Sequence, residues 1–165
     1  RGTRKGETFL NYAGYEPVDM LNGDGVRCSL WVSGCSHGCR GCFNQKAWSY
    51  NYGQEFTTET LDLILKDLSR PFIKGLTVLG GEPLDKENID TVEYVLEKVR
   101  DCFGNKKDIV LYTGYLFEEI PEKIKKLVDI VIDGKYDMNQ PTTKRYRGSD
   151  NQRMWIKKDN IWESD

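Results

Sequence analysis

The sequence predicts an α/β fold, a partial (β/α) barrel with an open, curved and mostly parallel sheet. Two observations predict it: apolar strand-like runs alternate with helical segments, and the runs end at turns that contain glycine. This alternation is typical of parallel βαβ units with right-handed crossovers. Four such strands are too few to close an eight-stranded barrel, so we expect the sheet to stay open.

The first half of the pattern contains two strands and one helix. Residues 27–33 form an apolar run that leads directly into a cysteine-rich loop. Thr57 is the expected N-cap of a helix, whose apolar side chains recur at i, i+3, i+4 and i+7 over 61–68. Residues 75–79 form the second strand, which ends in Gly-Gly-Glu-Pro at 80–83.

The second half continues the alternation with helix, strand, helix and strand. These elements are expected at 86–102, 108–112, 117–127 and 128–132. From 137 onward the chain is polar and irregular, with one further strand expected near 154–157.

Length and charge limit the class of protein. The 165 residues correspond to one domain at roughly 150 residues per domain, which we expect at 11–165. Residues 1–10 are expected to be an N-terminal extension or a cloning remnant. The net charge of −2 argues against nucleic-acid binding through bulk positive charge. No apolar run of about 18 residues is present, so no membrane span is expected.

Three of the five cysteines carry the strongest signal in the sequence. Cys35, Cys39 and Cys42 follow the spacing C-x3-C-x2-C within a glycine-rich loop, where the backbone can turn sharply enough for thiolates to converge. A [4Fe–4S] cluster normally takes four cysteines, so three would leave one iron open for a substrate or cofactor. The alternative is a zinc site completed by His37, although a second cysteine pair is missing.

The other two cysteines are expected to be small buried hydrophobic residues. Cys28 lies in an apolar run and Cys102 at a helix end. An odd number of cysteines with no export signal favours the reducing cytoplasm over a disulfide framework.

Four glycine-containing motifs come directly after predicted strands. They are the cysteine loop, Gly-Gly-Glu-Pro at 80–83, Thr-Gly-Tyr at 113–115 and Asp-Gly-Lys at 133–135. Because the carboxyl ends of parallel strands share one edge of a sheet, these motifs are expected to line one ligand site.

The cysteine loop and the Gly-Gly-Glu-Pro turn together resemble the radical S-adenosylmethionine (SAM) enzymes. Within them, the chain is most similar to the activating proteins of anaerobic ribonucleoside-triphosphate reductase. The similarity extends over roughly residues 11–155 and includes Asn-Gly-Asp-Gly-Val-Arg-Cys at 22–28, Gly-Cys-Phe-Asn at 41–44 and Tyr-Thr-Gly-Tyr at 112–115. One departure is Gly41, which stands where many radical SAM enzymes carry an aromatic residue.

The resemblance implies a partial barrel of the radical SAM type, and it also implies a reaction in which an iron–sulfur cluster cleaves SAM. Cys35, Cys39 and Cys42 would hold three irons of a [4Fe–4S] cluster, and the fourth iron would bind SAM. Reductive cleavage would give a 5′-deoxyadenosyl radical, which would take a hydrogen atom from a glycine of the partner protein. The residues that the resemblance places at SAM are Gly41, Cys42, Phe43, Gly80, Gly81, Glu82 and Thr113.

The resemblance also implies two protein partners. One is the large subunit of the anaerobic reductase, because the short chain leaves an open mouth for a glycine-bearing loop. The other is an external one-electron reductant similar to flavodoxin or ferredoxin. The alternatives are an activase of another glycyl radical enzyme, a small radical SAM enzyme acting on a metabolite, and a structural zinc or electron-transfer module.

Overall fold

The structure is a computed structural model that describes residues 10–43 and 45–165. It contains an eight-stranded sheet with the order β3-β1-β2-β4-β5-β6-β7-β8. The strands are β1 (Asn11–Asp19), β2 (Arg27–Val32), β3 (Gln54–Glu55), β4 (Gly75–Gly80), β5 (Asp108–Tyr112), β6 (Ile130–Asp133), β7 (Arg153–Lys158) and β8 (Ile161–Ser164).

The central strands confirm the predicted α/β class. β2, β4, β5 and β6 are neighbours and pair in parallel. The sheet as a whole is mixed and not mostly parallel, because β1, β3, β7 and β8 pair antiparallel on its two sides. Of these antiparallel pairs, β1–β2 and β7–β8 are joined by short connections, which parallel strands cannot use because they need a longer crossover.

The core lies between the parallel strands and the helices α1 (Thr58–Leu68) and α2 (Ile89–Phe103). Thr57 caps α1, as predicted, by accepting a hydrogen bond from the Thr60 N–H. Alternate strand side chains point to the helices, and the others point to the opposite face. The buried residues of the core include Leu30, Val32, Leu76, Val78, Ile109, Leu111 and Val131 from the strands, and Ile64, Leu68, Val92, Leu96 and Val99 from the helices.

Two helix predictions need correction. The helix expected at 117–127 is divided into a 3-10 turn, Phe117–Glu119, and the short helix α3 (Glu122–Lys125). Pro121 separates them, because proline has no N–H to donate within a helix. The helix expected from residue 86 begins at Ile89, after a turn in which the side chain of Asn88 bonds two carbonyls of the neighbouring loops.

The prediction for Cys28 is confirmed and that for Cys102 is wrong. Cys28 is fully buried, but Cys102 is exposed. The core-facing stripe of α2 continues from Val99 to Phe103, which turns Cys102 outward. All five cysteines are free thiols.

The sequence pattern did not reveal β1, because Gly14 and Pro17 lie within it. Proline is tolerated there since β3 pairs only with Asn11 and Tyr12, which leaves the rest of β1 without a partner on that side. Leu10, the last residue of the expected extension, is buried in the core, and residues 1–9 lie outside the described residues. Within the described residues, none of the helices has the length and apolar content that a bilayer span needs.

Candidate functional site

A cavity of about 580 Å³ lies at the carboxyl ends of the parallel strands. Its floor is one layer of the sheet: Trp31 pairs with Leu79, and Tyr112 pairs with Ile132. All four side chains line the cavity. The predicted site residues that line it are Cys35, Cys39, Cys42, Phe43, Gly80, Gly81, Glu82 and Thr113.

Backbone hydrogen bonds hold the start of the cysteine loop in place. The N–H of Gly34 donates to the carbonyl of Ala47 over 2.6 Å, and the N–H of Cys35 donates to that of Trp48 over 3.1 Å. The carbonyl of Gly34 in turn accepts from the N–H of Glu82 over 2.7 Å. The first cysteine is therefore fixed against the turn that follows β4.

Asp85 is a second anchor of this loop, and the sequence analysis did not single it out. Its buried carboxylate accepts hydrogen bonds from the N–H and the hydroxyl of Ser36, over 2.8 and 2.9 Å. The hydroxyls of Tyr50 and Tyr115 donate to it over 2.6 and 2.7 Å. Burial raises the pKa of Asp85, but these hydrogen bonds outweigh burial and hold the pKa below its usual value. The hydrogen bond to Asp85 also raises the pKa of Tyr115 to about 12, so this hydroxyl remains a donor at neutral pH.

Glu82 is fully buried and accepts four hydrogen bonds. Its Oε1 accepts from the N–H of Gly114 and contacts His37 Nε2, both at 2.7 Å. Its Oε2 accepts from the Thr113 hydroxyl at 2.6 Å and from the N–H of Leu84 at 2.9 Å. The carboxylate thus joins the turn after β4 to the turn after β5 and to the cysteine loop.

The two glycines of the turn after β4 are required by close packing. A Cβ on Gly80 would lie 2.3 Å from the carbonyl oxygen of Val32, and one on Gly81 would lie 2.5 Å from that of Gly34. Gly80 also has a φ of +143°, which other residues rarely adopt. These glycines let β4 approach the strand that carries the cysteine loop.

Gly41 and Phe43 take different positions. Gly41 is not among the residues that line the cavity; its φ is +72°, and a Cβ there would lie 3.1 Å from Met138. Phe43 lines the cavity but is 80% exposed, and its ring packs against Tyr136 with 4.9 Å between ring centroids. Phe43 therefore lies at the cavity rim.

The thiols and His37 bear on the choice between a cluster and zinc. His37 bonds Glu82 and packs its ring on Tyr115, 4.7 Å between centroids. Within the described residues, no three His, Cys, Asp or Glu side chains converge as ligands of one metal ion. A [4Fe–4S] cluster does not need such convergence, because its cysteines bind different irons.

Burial disfavours the thiolate forms of Cys35 and Cys39. Burial raises the pKa of Cys35 to about 11, with the charges of Glu82 and Asp85 acting in the same direction, and burial also raises the pKa of Cys39. Because only thiolates bind metal, loading with iron must displace these protons.

Two residues at the site went unrecognised in the sequence: Asp85 and Asn88. Asp85 and Asn88 follow Gly-Gly-Glu-Pro closely, which is the only sequence signal for them. Tyr112 was recognised as the end of a strand and as the first residue of the Tyr-Thr-Gly-Tyr motif, but its position on the cavity floor depends on strand pairing.

Comparison with known proteins agrees with this arrangement. Residues 21–155 match the family model of a 4Fe-4S single cluster domain. The chain is 44% identical over 157 residues to the anaerobic ribonucleoside-triphosphate reductase-activating protein of Enterobacteria phage T4, covering 94% of this chain and 100% of that protein. Proteins with the same name from Haemophilus influenzae and Escherichia coli are 41% and 40% identical over 150 and 151 residues, covering 87% of this chain and 96% of each relative. The resemblance inferred from the motifs is thus confirmed, and the chain belongs to the family of anaerobic ribonucleoside-triphosphate reductase-activating proteins.

Proposed function

We propose that this chain is a radical SAM enzyme that generates a glycyl radical on the large subunit of anaerobic ribonucleoside-triphosphate reductase. Residues 11–165 would form a single activase domain, with the parallel strands as a partial barrel of the radical SAM type. The free thiols suit a reducing compartment, so we place the protein in the cytoplasm.

One observation carries the proposal: Cys35, Cys39 and Cys42 line the same cavity as Gly80, Gly81, Glu82 and Thr113. These residues come from three separate strand ends, after β2, β4 and β5. A thiol set beside a buried carboxylate and a hydroxyl suits one cofactor held by sulfur ligands and a second held by hydrogen bonds.

The donor set fits a [4Fe–4S] cluster. Cys35, Cys39 and Cys42 would hold three irons, whereas a single zinc ion would need converging ligands, and no three His, Cys, Asp or Glu side chains of the described residues converge in that way. When bound, the reduced cluster supplies the electron that cleaves SAM to methionine and a 5′-deoxyadenosyl radical, which takes a hydrogen atom from the target glycine.

In this proposal, residues of the chain itself would bind SAM and orient it beside the cluster. Glu82 and Thr113 would bind the amino acid part of SAM, and Cys42 and Phe43, which line the cavity, would be near the nucleoside, with Gly41 next to them in the chain but outside the cavity lining. Phe43 is exposed at the rim, where its ring can pack on an adenine. The residues of the cavity would thus hold the two cofactors, and the open rim would let a loop of the partner protein enter.

The proposal also requires an external electron donor. The described residues offer one cysteine-rich loop, and an electron must reach it from outside the chain. We propose a one-electron carrier similar to flavodoxin or ferredoxin in this role.

The test is anaerobic reconstitution with iron and sulfide, followed by reduction with dithionite, addition of SAM and assay for 5′-deoxyadenosine. We expect about four irons per chain and formation of 5′-deoxyadenosine. With the reductase added, we expect a glycyl radical signal in electron paramagnetic resonance. A reduced cluster that cleaves no SAM, with or without the reductase, contradicts the proposal.

Two matched variants test the ligands. Cys39→Ser removes a proposed ligand and is expected to lose the cluster and SAM cleavage. Cys102→Ser changes an exposed thiol away from the cavity and is expected to keep both. Full cluster content and SAM cleavage in Cys39→Ser would refute the ligand assignment.

A further inference from the structure

A second depression in the surface, of about 400 Å³, adjoins the cavity. Its lining includes Arg40 of the cysteine loop and Lys135, Tyr136, Asp137 and Met138, which follow β6, and we call it the basic depression. Tyr136 lines both the basic depression and the cavity, so the two are neighbours. The proposed binding of the cluster and SAM makes no use of the basic depression.

The chain from Cys39 to Cys42 separates the cavity from the basic depression. Cys39 and Cys42 line the cavity, whereas Arg40, which lies between them in the chain, lines the depression. A Cβ on Gly41 would lie 3.1 Å from Met138, which also belongs to the lining of the depression. A group bound in the basic depression is therefore one loop segment away from two of the proposed cluster ligands.

Basic side chains dominate the charge of this depression. Arg40 and Lys135 are exposed, and neither forms an ion pair within the part of the chain that the structure describes. The acidic side chain of the lining, Asp137, accepts hydrogen bonds from the N–H of Asn139 and the side-chain amide of Gln140, so its carboxylate points into its own turn. Positive charge is thus in excess here, although the net charge of the whole chain is −2.

Lys135 stands on a fixed turn against the ligand loop. Its carbonyl accepts a hydrogen bond from the side-chain amide of Asn151 over 2.8 Å. Burial raises the pKa of Cys39, whereas a hydrogen bond from the Tyr136 backbone and the positive charge of Lys135 lower it. The charge of Lys135 therefore acts directly on one of the proposed ligands.

The proposed reaction needs an electron from outside the chain, and SAM and the target glycine take the cavity side of the loop. Proteins that exchange electrons meet briefly over small interfaces, and complementary charge guides such encounters. A depression that is one loop segment from the ligands and bears exposed positive charge meets both conditions. Because the chain as a whole is acidic, a local positive surface is also what an acidic carrier needs in order to approach it.

We propose that the basic depression is the docking surface of the one-electron carrier, and that acidic side chains around the redox group of the carrier pair with Arg40 and Lys135. One electron then passes across the loop segment from the reduced carrier to the cluster. The carrier is oxidised by one electron, the cluster is reduced by one electron, and no bond forms or breaks. This inference rests on the proposed function, and it adds the place at which the electron enters.

The test reverses both charges in the variant Arg40→Glu/Lys135→Glu, loaded with cluster, and uses an acidic flavodoxin as the carrier. We expect the Kd of flavodoxin, measured by titration calorimetry, to rise about tenfold or more, because like charges replace opposite charges at the interface. The wild-type Kd is expected to rise with salt concentration, and the Kd of the variant is expected to lose this dependence.

Dithionite separates docking from the later steps, because a small reductant needs no protein docking surface. With dithionite, the variant is expected to equal the wild type in iron content, 5′-deoxyadenosine formation and KM for the reductase. With limiting reduced flavodoxin as the reductant, its rate of 5′-deoxyadenosine formation is expected to fall about tenfold. Lys135→Glu alone lies outside the cysteine loop, so its expected threefold rise, approximately, in the Kd of flavodoxin keeps the test valid if reversal at Arg40 disturbs cluster loading.

Lys106→Glu/Lys158→Glu is the matched control, because it changes the net charge by the same amount. Both lysines are exposed, and they lie at the other end of the parallel strands: Lys106 precedes β5, and Lys158 ends β7, which runs antiparallel to β6. This variant is expected to keep the wild-type Kd of flavodoxin and its salt dependence.

Three results would overturn the inference. An unchanged Kd of flavodoxin in both Arg40→Glu/Lys135→Glu and Lys135→Glu removes the docking role, and an equal rise in the control variant assigns the effect to net charge. A raised KM for the reductase with dithionite, at an unchanged Kd of flavodoxin, assigns the depression to the reductase. Failure of the proposed function is distinct, because the wild-type chain, reduced by dithionite, would then form neither 5′-deoxyadenosine nor a glycyl radical.

Discussion

The carboxylate of Asp85 accepts a hydrogen bond from the backbone N–H of Ser36, 2.8 Å away, and this contact ties the turn after β4 to the cysteine loop. Ser36 directly follows Cys35, so a residue outside the cysteine motif fixes the position of the first cysteine. Tyr50 and Tyr115 donate to the same carboxylate from two further segments. Asp85 thus orients the proposed ligand loop from outside the cavity lining.

Replacing Asp85 by Asn is expected to destabilise the protein and loosen the cysteine loop. The amide NH2 would face donors where a carboxylate oxygen now accepts, at a cost of about 3 kcal/mol in the free energy of unfolding. Urea unfolding measures the loss, and iron content after reconstitution measures the effect on the loop. Asp137→Asn is the control, because among residues 10–43 and 45–165 the Asp137 carboxylate accepts only from its own turn, at Asn139 and Gln140. Equal stability of Asp85→Asn and wild type would contradict this role.

The contribution of Asp85 is expected to depend on pH. Its pKa is lower in the folded protein than the usual 3.8, so the stabilisation is fully present above that value. As the pH falls below 3.8 toward the lower folded pKa, the carboxylate takes up a proton and the stabilisation is lost. The difference in unfolding free energy between wild type and Asp85→Asn should therefore shrink over this acidic range. A difference that is constant from pH 7 to pH 3 would count against the assignment.

Gly80→Ala is expected to disrupt the site by sterics alone. The new Cβ would lie 2.3 Å from the carbonyl oxygen of Val32 at a φ of +143°, so the strand must move. Gly104 is the matched control, since it also has a positive φ but no atom within 4 Å of a built Cβ. Gly104→Ala should cost about 1 kcal/mol from backbone strain, and Gly80→Ala about 3 kcal/mol or more. Thermal or urea unfolding of the two variants gives the comparison, and equal costs would exclude the packing argument.

Glu82→Gln tests the proposed binding role of Glu82 against its structural role. Each carboxylate oxygen accepts from one backbone N–H, that of Gly114 or that of Leu84, so either orientation of the amide places its NH2 against a donor. We expect about tenfold weaker binding of SAM, as for loss of a charge-assisted hydrogen bond, with iron content retained. Equilibrium binding of SAM to the reconstituted variant is the measurement. An unchanged Kd of SAM with lowered stability would assign Glu82 to the fold alone.

Arg27 stabilises the opposite ends of the same strands. Its fully buried guanidinium donates to Asp108 Oδ1 at 2.5 Å, to the Thr77 hydroxyl at 2.7 Å and to the Leu76 carbonyl. Arg27→Gln leaves these acceptors without their donor and should cost about 3 kcal/mol. Lys74→Gln removes an exposed ion pair with Asp24 nearby and should change the unfolding midpoint little. Similar unfolding midpoints for Arg27→Gln and Lys74→Gln would show that the buried contacts of Arg27 stabilise the protein no more than an exposed ion pair does.

The sequence alone determined the parts of this protein that depend on local spacing. The three cysteines at 35, 39 and 42 and the glycines after each strand are visible as motifs, because a sharp turn needs glycine wherever it occurs. The alternation of apolar strands and amphipathic helices predicted β2, β4, β5 and β6 in their observed parallel arrangement. It did not predict β1, whose Gly14 and Pro17 break the strand pattern.

The tertiary structure decided which of these residues meet and which polar groups are left without a partner. Asp85 and Ser36 are 49 positions apart, and their contact exists only because β2 and β4 are neighbours in the sheet. Tyr112 ends a strand and begins the Tyr-Thr-Gly-Tyr motif in the sequence, but only its pairing with Ile132 of the neighbouring strand brings the residue to the cavity floor. Local patterns fix turns, caps and amphipathic faces, whereas the partners of a buried polar atom depend on long-range packing, which no local pattern encodes.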